Sequence, residues 1–323
     1  MAFIISAMHG ERMEREILEQ PSRIAASAAR FASGLGEALR GRDFEMVVLA
    51  ARGSSDNAAR YARYLIEVHL GIPVSLAAPS VITRHHGHIR YRNALAIGIS
   101  QSGAAPDVAE VLEALRTDGH FTVGITNTPG SRLAATAEFT LLLGVGDETS
   151  IAATKTYSAT LLALYELTRA LGADLPASTS HIYSEEWLRT CAAAARETAG
   201  PVCRCSPVFC LGRGFGFSTA EEAALKLMEC ALIPAKAFST ADFHHGPKAL
   251  AGVNSSIISF DGPQLDLAAQ GAEIFEPPLS PASAELKPLW DIPFGQYLAL
   301  FAARNRGLDP DHARHLRKVT ETL

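Results

Sequence analysis

The fold is decided by residues 94–115, ALAIGISQSGAAPDVAEVLEAL. The opening run, ALAIGI, is short and continuously apolar, which is typical of a strand buried on both faces. Residues 108–115, VAEVLEAL, place apolar side chains at helical spacing. A polar turn, SQSG at 100–103, lies between them. The stretch therefore predicts a buried strand that ends in a polar turn and continues into a helix.

The same strand–turn–helix unit recurs along the chain. Apolar runs at 44–50 (FEMVVLA), 120–126 (HFTVGIT) and 138–143 (EFTLLL) are each followed by a turn and a helical pattern. Strands that alternate with helices at this spacing indicate a parallel sheet covered by helices on both sides. We therefore expect an α/β fold.

A second copy of this pattern follows in the later part of the chain. Residues 207–233, PVFCLGRGFGFSTAEEAALKLMECALI, repeat the apolar strand, the glycine-rich turn and the long helix, which indicates an internal duplication. The second copy is expected to be shortened, because only DGPQLDLAAQ (261–270) separates two of its strands and a full crossover helix needs more residues. We predict an N-terminal helical segment (1–25) broken at Pro21, a first domain (26–171), a connector (172–190), a second domain (191–310) and a C-terminal tail (311–323).

The composition is that of an ordinary globular protein. The chain has 323 residues, of which 48% are hydrophobic and 20% charged, enough to bury a full core. A formal net charge of −5 produces no general basic field, so an anionic ligand must be held by a local site. No apolar run approaches the ~18 residues that a membrane span needs. We expect neither a nucleic-acid partner nor a membrane partner.

The cysteine and histidine patterns do not predict a metal site. All five cysteines lie after residue 190 and form no CxxC pair, so reduced thiols and a cytoplasmic location are expected. The HHGH run at 85–88 and the CRC run at 203–205 have no further ligand at metal-binding spacing. We therefore expect no metal.

Two polar turns follow predicted strands. In open parallel sheets, ligands bind beyond the carboxyl ends of the strands, where helix N-termini offer free N–H groups and a partial positive charge. Ser100, Gln101 and Ser102 add side-chain donors at such a point. Serines here could instead only cap the helix. A second turn of this kind, with Ser54 and Ser55, favours a phosphate-binding site.

A charged stripe lies in the long helix of the second copy. Glu222, Lys226 and Glu229 are spaced four and three residues apart, so they share one helical face. On spacing alone, this pattern is typical of a solvated surface with a salt bridge.

Several motifs, taken in order, resemble those of a known family. They are ARGSSDNA, SQSGAAPD, ITNTPGSRLA, DETSIAATKTY, LGRGF, EEAALKLMEC and HHGPKAL. Together they resemble the sugar isomerase (SIS) family, and their tandem order is similar to the isomerase half of glucosamine-6-phosphate synthase. The resemblance covers nearly the whole chain. It implies two SIS lobes, each a doubly wound, mainly parallel sheet in a three-layer αβα sandwich, a sugar phosphate as substrate, no cofactor, and a homodimer with a shared active site.

The resemblance also implies roles for individual residues. Glu229 matches the carboxylate that moves a proton between carbons 1 and 2 of the sugar, and Lys226 would orient it. His245 matches a histidine that opens the sugar ring in the neighbouring subunit's site. Lys318 matches a C-terminal lysine that forms a Schiff base with the open-chain ketose, delivered by a tail that closes the active site. The implied substrate-binding residues are Ser54, Ser55, Ser100, Gln101, Ser102, Glu148 and Ala153.

The chain departs from the family pattern at two positions. Ala105 stands where the family usually has threonine or serine, and Ala153 stands where the synthase has serine. Both departures leave the identity of the sugar open.

The expected reaction follows from comparison with the synthase. That enzyme takes ammonia from a glutaminase domain whose catalytic cysteine is its first residue, whereas this sequence begins Met-Ala and its first cysteine is Cys191. We expect no glutamine hydrolysis, and interpret the chain as similar to standalone SIS deaminases, which convert glucosamine 6-phosphate to fructose 6-phosphate and ammonia. An isomerase or deaminase of another phosphosugar, such as a galactosamine or fructosamine phosphate, and a non-catalytic phosphosugar sensor remain alternatives. The presence of Glu229, His245 and Lys318 favours an enzyme.

Overall fold

Two parallel β-sheets flanked by helices form the core of the protein, of which the computed structural model describes residues 9–318. The strands of the first sheet are β1 (Met46–Ala50), β2 (Val74–Leu76), β3 (Ala94–Ile99), β4 (Phe121–Thr126) and β5 (Phe139–Leu142). The strands of the second sheet are β6 (Val208–Gly212), β7 (Ala235–Ser239), β8 (Ser256–Ser259) and β9 (Glu273–Phe275).

Helices cover both sheets. The helices of the first lobe are α1 (Glu11–Leu18), α2 (Gln20–Ala38), α3 (Ser54–Leu70), α4 (Pro79–Thr83), α5 (Pro106–Thr117), α6 (Arg132–Thr136) and α7 (Lys155–Ala170). Those of the second lobe are α8 (Glu185–Arg204), α9 (Gly216–Ala231), α10 (Thr240–His244), α11 (Leu265–Ala269) and α12 (Lys287–Asn305). Single 3-10 turns lie at Ser178–Ser180, Pro247–Leu250 and Pro310–His312. None of the helices among residues 9–318 has the length and apolar character to cross a membrane.

The strand order confirms the α/β fold and the duplication. The first sheet runs β2–β1–β3–β4–β5 and the second β7–β6–β8–β9, with every neighbouring pair parallel. The second order repeats the first four strands of the first sheet. In both sheets the chain steps to one side and then reverses, which is the doubly wound arrangement. All of β3 is buried, as its apolar run predicts.

The second lobe is shortened where the sequence predicts it. The connection between β8 and β9 contains only the five-residue helix α11. Two of the predicted domain bounds, at residues 25 and 190, fall inside helices, α2 and α8 respectively. The N-terminal segment does break near Pro21, because α1 ends at Leu18 and Pro21 lies in the first turn of α2.

A buried polar network joins the N-terminal helices to both lobes. The side-chain amide of Gln20 donates to Gln296 on α12 (2.7 Å), and its carbonyl oxygen accepts from Ser158 on α7 (2.6 Å) and from Tyr183 in the connector (2.7 Å). Gln20, Ser158 and Gln296 have no solvent exposure. Buried polar groups that lose a partner carry the full cost of desolvation, so this network specifies how the lobes meet.

Replacing Gln20 tests that network. The Gln20→Leu variant leaves three buried polar side chains without their hydrogen-bond partner. We therefore expect its free energy of unfolding to fall by about 3 kcal/mol. Urea unfolding followed by circular dichroism measures the change. Ser22→Ala, at an exposed site on the same helix, is the control and should unfold like the wild type. A similar loss in both variants would assign the effect to the helix and not to the network.

Candidate active site

A cavity of about 550 Å³ lies at the carboxyl edge of the first sheet. Its walls come from both lobes and from the C-terminal tail. The lining residues are Arg52, Gly53, Ser54, Ser55, Ser100, Gln101, Ser102, Ala105, Ile151, Ala153, Thr156, Tyr157, Thr160, Lys226, Glu229, Leu316, Arg317 and Lys318. The cavity therefore collects most of the site residues that the sequence predicts, from positions more than two hundred residues apart.

The two predicted polar turns lie side by side in this cavity. Strands β1 and β3 are hydrogen-bonded neighbours, so the turn at 53–55 and the turn at 100–102 leave the same edge of the sheet. The backbone carbonyl of Gln101 accepts from the Asn127 amide (2.9 Å) and the Thr126 hydroxyl (3.1 Å), which anchors the second turn to the next strand. Serine hydroxyls and the N-terminus of α3 meet here, an arrangement that suits a phosphate group.

Two glycines shape these turns for different reasons. Gly103 has a φ of +62°, and a Cβ there would lie 2.0 Å from the Ser131 hydroxyl, so only glycine allows the turn to pack against α6. Gly53 has a φ of +55° but has no atom near the position of a Cβ. The positive φ favours glycine at Gly53, and the space beside it is part of the cavity.

The charged stripe on α9 is largely buried, unlike the solvated surface that its spacing alone would suggest. Glu222 and Lys226 have no solvent exposure, and the Glu229 side chain is 25% exposed. The Lys226 ammonium donates to Glu229 (2.5 Å) and pairs with Glu222 (3.3 Å). Lys226 and Glu229 line the cavity, whereas Glu222 lies behind them.

Burial and ion pairing set the charges of this group. Burial raises the pKa of Glu222, while Lys226 and hydrogen bonds from Asn57 and Ser54 partly oppose the rise. Burial alone would lower the pKa of Lys226, but the charges of Glu222 and Glu229 outweigh burial and raise it. Lys226 is therefore a fixed cation at neutral pH, held 2.5 Å from the Glu229 carboxylate.

The C-terminal tail enters the cavity and is held there by an ion pair. The Lys318 ammonium donates to the buried Glu148 carboxylate (3.0 Å), which also accepts from the backbone amides of Thr154 (2.9 Å) and Thr156 (3.0 Å). Burial would raise the pKa of Glu148, but Lys318 and the threonine hydrogen bonds outweigh it and lower that pKa. Glu148, expected to bind substrate, does not line the cavity; it holds the tail and the first turn of α7.

The base of the tail is tied to the N-terminal helix. The Asp311 carboxylate accepts from the backbone amides of Arg12 (2.7 Å) and Met13 (3.0 Å) in the first turn of α1. Asp309 accepts from the Gly10 amide (2.9 Å). The tail therefore leaves from a fixed point, and residues 319–323, including Val319 beside the expected lysine, lie outside the described residues.

The remaining predicted residues lie in different surroundings. Ala153 lines the cavity, where its methyl group contributes no donor. His245 follows α10, is exposed, and does not line the cavity of the described chain. His245 can therefore reach such a cavity only on another molecule, or in its own chain after movement of the loop that holds it.

Sequence reasoning missed several lining residues. Arg52 directly precedes the turn at 53–55, and a cation beside a polar turn after a strand is a usable signal. Thr156 and Thr160 share one face of α7 at a spacing of four, which helical periodicity could have shown. Tyr157, whose hydroxyl donates to the Ser218 carbonyl of the second lobe (3.4 Å), has no comparable signal.

Comparison with known proteins agrees with this fold. A model of the SIS domain matches residues 43–170. A crystal structure from Silicibacter pomeroyi, of a protein provisionally named a phosphosugar isomerase, is 30% identical, covers 93% of this chain and 99% of that chain, and has a TM-score of 0.81. The glucosamine-6-phosphate deaminase of Thermotoga maritima is 23% identical and shares the fold with a TM-score of 0.82, covering 97% of this chain and 100% of that chain.

A longer enzyme is also related. The glutamine–fructose-6-phosphate aminotransferase of Methanothermobacter thermautotrophicus is 30% identical over 95% of this chain, and the match covers 56% of that enzyme. The chain thus spans about half the length of the curated relatives it matches. Two SIS-type lobes with a cavity at one sheet edge define the class of protein. The chain belongs to the SIS-domain phosphosugar isomerase family, related to the isomerase half of the aminotransferase, as the sequence motifs predict.

The ion pair of Lys318 makes a testable prediction about the tail. Glu148→Gln keeps an acceptor oxygen for the threonine amides but removes the charge that holds Lys318. Trypsin should then cleave after Arg317 about 10-fold faster, because a charge-assisted hydrogen bond opposes opening of the tail. Mass spectrometry of a digestion time course measures the rate. Glu113→Gln, at an exposed site on α5, is the control, and equal rates in the two variants would contradict the ion pair's role.

Proposed function

We propose that the protein is a phosphosugar isomerase–deaminase that converts glucosamine 6-phosphate and water to fructose 6-phosphate and ammonia. The observation that carries the proposal is the presence of three chemistries in one cavity. A cradle of hydroxyl and amide donors, a carboxylate–ammonium pair and the amine of Lys318 all line it. Each suits one requirement of the reaction: holding a phosphate, moving a proton between carbons, and forming an imine.

The phosphate would bind where β1 and β3 end. Ser54, Ser55 and Ser102 supply hydroxyls there, and Ser100 and Gln101 complete the turn. A phosphate in this cradle places carbons 1 and 2 of an open-chain sugar toward α9. The two ends of the substrate would thus contact different lobes, which explains why the cavity needs both.

Proton transfer would use Glu229 and Lys226. In the open-chain aldehyde, Glu229 removes the proton from carbon 2 and returns it to carbon 1, which leaves an alkoxide at carbon 1 and an iminium at carbon 2. A proton then passes from the iminium nitrogen to the carbon 1 oxygen, giving the neutral ketose imine. The negative charge that develops on the carbon 1 oxygen is stabilised by the fixed positive charge of Lys226. Since Lys226 already lies 2.5 Å from Glu229, both groups are in place before the sugar binds.

Imine exchange would use Lys318. A deprotonated Lys318 attacks carbon 2 of the imine, the original nitrogen takes up protons and leaves as ammonia, and the sugar becomes a Schiff base on the lysine. Water then hydrolyses this imine, which releases fructose 6-phosphate and regenerates the amine. Attack on the imine would require Lys318 to leave Glu148, so the ion pair would mark a resting position of the tail.

Ring opening would use His245 from a second copy of the chain. We include a homodimer in the proposal because His245 is exposed and does not line the cavity of its own chain. The apolar side chains of Met228, on α9, and Leu232, which directly follows α9, are 42% and 40% exposed, and a second copy would cover them.

A plain aldose–ketose isomerase is the second candidate. The ion pair between Lys318 and Glu148 favours it, because a lysine that stays charged and paired cannot attack an imine. Ala105 and Ala153 leave open which phosphosugar fits. Assaying a panel of amino- and keto-sugar phosphates for both ammonia release and isomerisation separates the candidates, since isomerisation without ammonia would favour the plain isomerase.

Lys318 provides the main test of deamination. Lys318→Arg keeps a cation for Glu148 but cannot form an imine, so ammonia release should fall by at least ~100-fold. Borohydride added during turnover should trap the sugar on Lys318 in the wild type, and mass spectrometry locates the adduct. Normal ammonia release by the variant, with no adduct in the wild type, would refute the Schiff-base step.

Glu229 provides the test of proton transfer and of the dimer. Glu229→Gln is nearly isosteric but cannot take a proton, so turnover and exchange of the carbon 2 hydrogen with deuterated water should fall by at least ~100-fold. Mixing Glu229→Gln with His245→Ala subunits should restore about a quarter of wild-type activity, since half of randomly formed dimers are mixed and each has one complete site. No recovery after subunit exchange would place His245 outside the shared site.

A further inference from the structure

Arg52 and Asp107 form an ion pair at the edge of the cradle. The Arg52 Nε atom donates to the Asp107 Oδ2 atom at 2.6 Å. Arg52 lies two residues after the end of β1, and Asp107 lies in the first turn of α5, the helix that follows the turn at 100–102. The pair therefore spans the two polar turns of the cavity and fixes the position of Arg52 beside them.

The burial of the two partners is unequal. The Asp107 side chain is 1% exposed, whereas that of Arg52 is 51% exposed and lines the cavity. The second carboxylate oxygen of Asp107 is buried and has no hydrogen-bond partner among residues 9–318. Asp107 therefore pairs with one cation, Arg52, through one oxygen atom, Oδ2. Its effect on the site is to orient the Arg52 guanidinium.

Arg52 differs from the two lysines of the cavity in its free donors. Lys226 is engaged by Glu222 and Glu229, and Lys318 by Glu148. Arg52 uses only Nε, and its two terminal NH₂ groups have no partner within the described part of the chain. Planar NH₂ pairs of this kind bind phosphate oxygens in a bidentate manner.

We propose that Arg52, oriented by Asp107, is the charged group that recognises the phosphate of the substrate. The inference deepens the proposed function, on which it rests for the presence of a phosphate. Serine hydroxyls and backbone amides alone are neutral donors, and the side chain of Ala105, which also lines the cavity, adds no donor. Arg52 supplies a full positive charge, which makes the cradle selective for a phosphate ester over an uncharged sugar end.

A second arginine, Arg317, also lines the cavity. It lies on the tail, and within residues 9–318 no carboxylate pairs with it. Its position depends on the tail, whereas Arg52 is fixed whether or not the tail is closed. Arg317→Gln therefore serves as a second variant that separates the two arginines.

The test uses the binding of inorganic phosphate and of fructose 6-phosphate, measured by isothermal titration calorimetry. Arg52→Gln should weaken both by at least ~10-fold, the worth of a charge-assisted hydrogen bond. The matched control is Arg63→Gln, since Arg63 is 49% exposed and also pairs through Nε with a carboxylate, Glu67, outside the cavity. Binding by Arg52→Gln within ~2-fold of that control, or a loss confined to Arg317→Gln, would overturn the proposal.

The double variant Arg52→Gln/Asp107→Asn removes an ambiguity. In the single variant, the buried Asp107 charge is left unpaired and could repel phosphate or disturb the fold. The double variant removes both charges and restores an amide–amide contact. Binding that stays weak in the double variant supports recognition by Arg52, whereas recovery to the wild-type affinity would show that only the unpaired carboxylate was responsible.

Failure of the role proposed for Arg52 can be distinguished from failure of the proposed function. Wild-type protein that binds phosphate through Arg52 but releases no ammonia from glucosamine 6-phosphate would contradict the deamination and support the role of Arg52. If the wild-type protein deaminates the sugar and Arg52→Gln binds phosphate as well as the wild type does, deamination is supported and the role of Arg52 is contradicted.

Discussion

The geometry of the cavity depends on one buried carboxyl group, that of Glu222. A carboxylate without solvent exposure needs a counter-charge and hydrogen bonds, because isolation would cost several kcal/mol. Lys226 supplies the charge from the same helix, and the Asn57 amide supplies a hydrogen bond from α3 at 2.8 Å. The requirement therefore attaches the second lobe to the first at the cavity wall, and it orients Lys226 toward Glu229.

Other carboxylates follow the same rule around the site. Glu148 collects the tail lysine and the first turn of α7, Asp107 orients Arg52, and Glu16 on α1 accepts from the amides of Thr149 and Ser150 in the loop before α7. Each buried carboxylate gathers donors from an element distant in sequence. As a result, the groups that face the cavity are held by a second layer that does not, and this is what keeps reactive groups in position.

The two lobes of the duplication contribute different structural elements to the cavity. In the first lobe the turn after β1 is open, with free space beside Gly53. In the second lobe, the equivalent turn after β6 has the same open backbone, since Gly214 has a φ of +56° and no atom near the position of a Cβ, but this turn does not line the cavity. The first lobe thus supplies the strand ends that line the cavity, while the second contributes the face of α9. A single cavity between them uses one feature from each copy.

The sequence by itself determined the alternation of strands and helices, the duplication, the short α11 and the edge where the polar turns meet. These follow from local spacing, since the carboxyl ends of neighbouring parallel strands share one edge. Spacing could not show that Glu222 and Lys226 are buried, because a solvated stripe and a buried one have the same period. It also could not pair Arg52 with Asp107 or Lys318 with Glu148, partners separated by 55 and 170 residues. Local sequence decides which residues share a face of a helix or strand. Only tertiary packing decides which element covers that face and which charged side chain pairs with the residues on it.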